Sequence, residues 1–155
     1  IFEIETTLDI SHQIVRHKSF SFQQFSRRYS SDELNFDFGG PRRQDTKNRQ
    51  NSIDDLSDEV KSWWYSAISS VSEQASRLYN HALKLGIAKE CARKLLPVAS
   101  TTKLYMNGNI RSWIHYVNLR CGNGTQKEHM DIAVCIKSIL IDELPTITKA
   151  LNWSK

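Results

Sequence analysis

Residues 16–30 read RHKSFSFQQFSRRYS, which sets Arg16, His17, Lys18, Arg27 and Arg28 among aromatics, amides and hydroxyls with no acid in the stretch. A solvated face normally interleaves acids with its bases. From Lys18 to Tyr29, Phe20, Phe22 and Phe25 alternate with Ser and Gln, a pattern that predicts an extended or looped segment rather than an amphipathic helix. If the three phenylalanines anchor in a core, the polar groups face one way. The segment then reads as a cradle for an anion.

On its N-terminal side, IFEIETTL (1–8) has the alternation of a strand, and DISHQIVRH (9–17) offers Asp9 or Ser11 as the cap of a short helix. On its C-terminal side, NFDFGGPRRQDTKNRQNS (35–52) combines Gly-Gly-Pro with a dense polar mixture and reads as a mobile or ligand-ordered loop. Ser57, followed by Asp58 and Glu59, opens a long helix ending at Gly86. Its apolar stripe of Val60, Trp64, Ala67, Ile68, Val71, Ala75, Leu78 and Ala82 is the expected core. AKECARKLL (88–96) is a short helix stopped by Pro97, and ASTTKLYMNG (99–108) is a strand. Asn109 caps IRSWIHYVNLRC, Gly122 and Gly124 break that helix, and Thr125 caps QKEHMDIAVCIKSILIDEL. The expected class is α+β, a single helix-rich domain over 1–155 with a small sheet.

A chain of 155 residues that is 39% hydrophobic can bury a sizeable core, and its net charge of +4 favours anionic partners. Cys91, Cys121 and Cys135 form no CxxC pair, which argues against a disulfide framework and for a reducing compartment. No apolar run approaches the length of a spanning helix and no leader precedes the first strand, so the expected location is cytoplasmic, without membrane association. His12, His17, His115 and His129 lack paired ligand spacing, and no metal site is expected. Patterns for a nucleophile elbow, a Walker loop or a dinucleotide fingerprint are likewise missing.

Two groups of cations remain to be read. In the helix after Asn109, Ile110, Trp113, Ile114 and Val117 form an apolar face, while Arg111, His115 and Asn118 line a polar one that meets either solvent or a ligand. Arg120 falls half a turn from Arg111, at the rim of the buried face, where a cation needs a partner or a ligand to offset its desolvation. Arg16, Arg27, Arg28, Arg93, Arg111 and Arg120 supply planar guanidinium forks suited to phosphate and to the imide edge of a pyrimidine. The basic stretch from Pro41 to Gln50 reads as a solvated loop or as a grip on nucleic acid, the second being the less expected.

These residues resemble the signature of the flavin-dependent thymidylate synthases: Arg-His-Arg, seven residues, Ser, then Arg-Tyr. Here Arg16, His17 and Lys18 precede seven residues, Ser26, and then Arg28 and Tyr29. The later ARKLLP, NIRSWIHYVNLR and TQKEHMDIA resemble the family's second block in order and spacing. The resemblance implies methylation of dUMP to dTMP with methylenetetrahydrofolate as carbon donor, FAD as hydride carrier and NADPH as reductant. It also implies a homotetramer with active sites between subunits. Carried over by position, the dUMP set is Gln13, Ile14, Val15, Arg16, Gln24, Ser26, Arg27, Arg28, Arg93 and Arg120, with Arg28 and Arg93 nearest the phosphate. Arg120 is the expected catalytic residue, contacting the uracil ring and favouring ionisation of its N3. The FAD set is Arg16, His17, Lys18, Gln24, Asn109, Arg111 and His115.

Three features depart from the pattern. Lys18 stands at the second arginine, keeping charge but losing the fork, and Gln24 stands where glutamate is usual. The family's N-terminal segment of several dozen residues is expected to be absent. The alternative reading is accordingly a non-catalytic or weakened homologue that binds the nucleotide without turnover.

Overall fold

The computed structural model describes residues 1–26 and 34–153. Strand β1 (Phe2–Thr7) pairs antiparallel with β5 (Thr101–Asn107), which in turn pairs antiparallel with β2 (Ser21–Gln24), giving the order β1-β5-β2. The register sets Ile4 opposite Leu104, Phe2 and Phe22 opposite Met106, and Gln24 opposite Leu104. Period-two alternation therefore sends Ile4, Phe22, Leu104 and Met106 to one face. The other face is polar, and there Lys103 pairs with Glu3 at 2.9 Å and Glu5 at 3.0 Å.

Helices cover the apolar face. Helix α1 (Leu8–Ile14) contributes Ile10 and Ile14, α4 (Ile110–Arg120) contributes Trp113, Tyr116 and Val117, and α5 (Lys127–Glu143) contributes Ala133, Ile136 and Leu140. Phe20 joins this core, and each large apolar side chain fully buried there is worth about 1.5–3 kcal/mol. Helix α6 (Pro145–Ala150) follows α5 and carries the chain to Trp153, which lies against the core's rim. Among the described residues, no helix is long and apolar enough to cross a membrane.

Several local expectations are corrected. Helix α1 starts at Leu8 behind Thr7, so Asp9 and Ser11 lie within it rather than at its cap, and the helix stops at Ile14. Gln126, not Thr125, precedes α5. Phe25, expected in the core with Phe20 and Phe22, is 53% exposed: its N–H still donates to the Lys103 carbonyl at 2.9 Å, and alternation puts it on the face opposite Phe22 and Gln24.

The stretch from 35 to 52 is not a featureless loop. Phe36 bridges Ser100, Asp37 N–H donates to the Ala99 carbonyl at 2.9 Å, and β3 (Arg43–Gln44) pairs with β4 (Ser52–Ile53) as a hairpin. Arg42 reaches Glu128 at 2.7 and 2.9 Å and ties this hairpin to the first turn of α5. At Gly39 the backbone is left-handed, with φ 61°, and a Cβ there would stand 2.9 Å from a Glu128 carboxylate oxygen. Glycine satisfies both demands.

The largest correction concerns α2 (Asp58–Lys84). Its ends are as expected: the Ser57 hydroxyl accepts from Val60 N–H, and Gly86 at φ 80° closes a C-terminal turn in which Ile87 N–H reaches the Ala82 carbonyl. Of its apolar stripe, however, Ala75 and Ala82 are buried, joined by Tyr79 from outside it, and Tyr79 and Ala82 pack with Ala92 of α3 (Lys89–Ala92) and with Leu96 just past the 3-10 turn Arg93–Leu95. Val60, Val71 and Leu78 of the expected core stripe are exposed by 43, 47 and 41%. The helix is rotated toward Tyr79, about 100° on from Leu78, so much of the stripe faces outward.

Candidate functional site

The opening stretch meets the fold on α4. Asn109 caps that helix, its side-chain oxygen accepting from Ser112 N–H at 2.9 Å and from the Ser112 hydroxyl at 3.1 Å. Just before the cap, the Cβ position of Gly108 lies 2.4 Å from Phe20 Cδ1, so the absence of a side chain lets Phe20 settle on the helix. The ring meets Trp113 edge-on at 4.6 Å and Tyr116 at 5.9 Å. Two backbone bonds, His17 N–H to the Ile14 carbonyl and Phe20 N–H to the His17 carbonyl, shape the turn between α1 and β2.

That turn presents His17 to the last turn of α4. Its ring contacts Tyr116 at 4.9 Å, and Arg120 Nε donates to His17 Nε2 at 2.9 Å. The desolvated cation anticipated from the helix angles has thus found a neutral acceptor. Burial, with Arg120 and then His115 nearby, pushes the His17 pKa down to about 4. Arg16 and Lys18 beside His17, His115 on α4 and Arg111 in the first turn of α4 are exposed. Among the described residues, no carboxylate pairs with Arg16, Lys18, Arg93 or Arg111.

A second locus lies on the far end of α1. A cavity of about 260 Å³ is lined by Leu8, His12, Gln24, Phe25, Ser26, Arg93 and Leu96. It gathers three of the expected nucleotide residues, Gln24, Ser26 and Arg93. Gln24 faces the helix-covered side of the sheet, where its Nε2 donates to Ser11 Oγ at 3.0 Å and to Thr102 Oγ1 at 3.3 Å. Ser11 Oγ spends its own proton on the Leu8 carbonyl at 2.9 Å, so it meets the Gln24 amide as an acceptor. A carboxylate at position 24 would break that arrangement.

A part-buried polar chain runs from α4 to the hairpin. Gln13 Nε2 donates to Gln126 Oε1 at 2.6 Å, and Gln126 Nε2 donates to Glu128 at 3.1 Å. Gln13 Oε1 faces His129 Nδ1 at 3.4 Å, and His129 Nε2 faces the Tyr116 hydroxyl at 3.0 Å. Because an amide oxygen only accepts, Nδ1 carries the proton and Tyr116 donates to Nε2. Every bond then points toward the Glu128 carboxylate, which Arg42 closes. His129 has no exposed surface; burial first, then Arg120 and His17, pushes its pKa down to about 4.

The expected site residues therefore divide. His17, His115 and Arg120 come together toward the end of α4, with Arg16 and Lys18 flanking His17 in sequence, Asn109 and Arg111 stand at the start of that helix, and Gln24, Ser26 and Arg93 share the cavity. Gln13 is committed to the interior, Ile14 is wholly buried, and Val15 is at the surface. Arg27 and Arg28 lie outside the described residues. Sequence reasoning missed His12 as a wall of the cavity, although its i, i+4 spacing from Leu8 could have placed both on one helical face. It also missed His129 and Tyr116, for which no local signal exists.

Fold and site together define the class, an α+β ligand-binding protein with guanidinium-rich surfaces aimed at anions. The family model described as thymidylate synthase complementing protein matches residues 1–146. The flavin-dependent thymidylate synthase of Synechocystis sp. is 50% identical over 151 residues, covering 97% of this chain and 70% of the relative. A probable flavin-dependent thymidylate synthase of Paramecium bursaria Chlorella virus 1 is 48% identical with the same coverage. The chain belongs to the thymidylate synthase complementing protein family. Its fold is that of the UMP/dUMP methylase PolB from Streptomyces cacaoi. The crystal structure bound with 5-Br dUMP superposes with a TM-score of 0.85 at 22% identity, over 97% of this chain and 68% of that one. The one bound with 5-Br UMP gives 0.82 at 24%, over 90% and 67%.

Exposed cations near His17 and at the start of α4 have the chemistry a flavin dinucleotide's phosphates need. Arg16, Lys18 and Arg111 are solvent-accessible cations without a carboxylate partner among the described residues, as a pyrophosphate requires.

Proposed function

We propose that this chain carries the family's reaction, the flavin-dependent methylation of dUMP to dTMP, with methylenetetrahydrofolate as carbon donor and NADPH as reductant, within one domain over 1–155. The observation that carries the reading is the convergence of Gln24, Ser26 and Arg93 on one cavity of about 260 Å³. Arg93 supplies a fork for the nucleotide phosphate, joined by Arg28 of the opening stretch, and Ser26 and Gln24 supply a hydroxyl and an amide. Gln13, Ile14, Val15, Arg16 and Arg27 complete the proposed nucleotide set, Ile14 through its backbone. Arg120 is the proposed catalytic residue; its fixed cation lowers the cost of negative charge on the pyrimidine N3.

Arg16, His17, Lys18, Gln24, Asn109, Arg111 and His115 would hold FAD, which when bound supplies the hydride that reduces the transferred carbon. The cavity's walls include none of the α4 residues. We therefore read a complete site as drawing the two surfaces from different copies in a homotetramer, and the outward apolar stripe of α2 supports such an assembly. A cytoplasmic location accords with the free cysteines.

The test is the visible absorption spectrum of the purified protein before and after addition of FAD and then dUMP, with mass by size exclusion and dTMP formation from NADPH and methylenetetrahydrofolate. The expected outcome is a yellow tetramer whose flavin spectrum shifts with dUMP and which forms dTMP. One observation favours the second reading, a non-catalytic nucleotide-binding homologue: the Gln24 amide is satisfied by Ser11 and Thr102 without any ligand. A colourless tetramer that binds dUMP and forms no dTMP would establish that reading instead.

A further inference from the structure

His17 is fixed from three sides. Its backbone is held by the turn bonds to Ile14 and Phe20, its ring is braced edge-on by Tyr116 at 4.9 Å and by Phe20 at 6.3 Å, and Tyr116 is held in turn by buried His129. A guanidinium has no acceptor, so the 2.9 Å contact with Arg120 Nε requires an unprotonated His17 Nε2 and places the ring proton on Nδ1. With Nε bonded, the planar group has lost its rotation about the last side-chain torsion, and among the described residues no hydrogen bond takes its two terminal NH₂ groups, which face a ligand in the proposed site. Burial first, then Arg120 and His115 from α4, keeps the ring neutral; Arg16 and Lys18 flank it in sequence and His129 stands 6.2 Å away.

We propose that His17 is a positioning residue that orients the Arg120 guanidinium toward the pyrimidine through the Arg120 Nε to His17 Nε2 hydrogen bond. This rests on the reading that Arg120 contacts the nucleotide, and it gives His17 a task separate from any contact with flavin. The neutral imidazole does what a carboxylate at the same place would not. It fixes the cation without neutralising it, so the full positive charge stays available to the ring.

The experiment compares His17→Phe, which keeps an aromatic ring against Tyr116 and Phe20 but removes the acceptor, with His17→Gln, whose Oε1 can occupy the Nε2 position. Three readouts are taken on the full chain: the Arg120 Nε–H resonance without ligand, assigned by its loss in Arg120→Lys; the equilibrium affinity for dUMP; and FAD occupancy by absorption. The expected result is a slowly exchanging Nε–H in wild type and His17→Gln that disappears in His17→Phe. Affinity for dUMP should fall about 10- to 100-fold in His17→Phe, recover most of the way in His17→Gln, and show no further loss when His17→Phe is added to Arg120→Ala. An Nε–H equally protected in His17→Phe would overturn the proposal. So would equal losses in both His17 variants, or losses that simply follow FAD occupancy. If the bond behaves as expected but Arg120→Ala leaves dUMP affinity unchanged, the parent reading of Arg120 fails as well, and the resonance separates that case from the others.

Discussion

Gly108 shows how much a single missing side chain decides. Its Cβ position is 2.4 Å from the Phe20 ring, so Gly108→Ala must push Phe20 off Trp113 and disturb the turn that carries His17. We expect a loss of about 1–3 kcal/mol in thermal or denaturant unfolding, with weakened flavin binding. Unchanged stability would mean that the turn has slack. His129 makes the complementary point for buried polarity. Its pKa lies near 4 in the fold against 6.5 as a free side chain, so between those values the unfolded chain binds a proton that the folded chain refuses. Stability therefore rises with pH across that window; equivalently, it falls on acidification from about 6.5 and levels off below about 4. For His129 alone the loss is about 3 kcal/mol, or roughly 6–12 °C in Tm between pH 7 and pH 4, and His17 acts in the same direction. His129→Gln should flatten this dependence in a pH series of melting curves, and an unaltered slope would assign it to other groups.

At the scale of elements, the hairpin of β3 and β4 and helix α2 teach opposite lessons about reading polarity. The stretch from 35 to 52 is polar throughout, yet it is ordered by specific ion pairs and turn bonds. Arg42 pairs with Glu128, Arg43 with Asp55, and Asp45 accepts from Lys47 N–H. Composition announces only that such a segment lacks a core of its own. Helix α2 is apolar along a regular stripe, yet Val60, Val71 and Leu78 of that stripe are exposed. Val71 and Leu78, with Trp63 beside them, form the outward edge. Val71→Asp should leave far-ultraviolet circular dichroism unchanged while lowering the mass measured by light scattering below that of a tetramer. A tetramer unaffected by the substitution would place the subunit contacts elsewhere.

At the scale of the whole molecule, the legible features are those whose cause is local. The alternation in β1 and β5, the Ser57 and Asn109 caps, the Gly86 stop and the two helices α4 and α5 follow from side-chain period and capping chemistry, which act over a few residues, whereas the short α6 was not anticipated. The family resemblance of the two signature blocks was legible too, and the family match over residues 1–146 bears it out. The sequence also required that Arg120 find a partner, since its helical angle sets it at the rim of a buried face. That the partner is His17, 103 residues earlier, came from the tertiary structure alone. The same holds for Gln13 with Gln126, 113 apart, and for the cavity that gathers His12, Gln24 and Arg93. Such bonds join groups that share no period, so only the docking of α1, β2 and α4 onto one sheet determines them. The rotation of α2 is likewise a tertiary decision: an apolar stripe states that it will be covered, and packing alone chooses which part the chain covers itself.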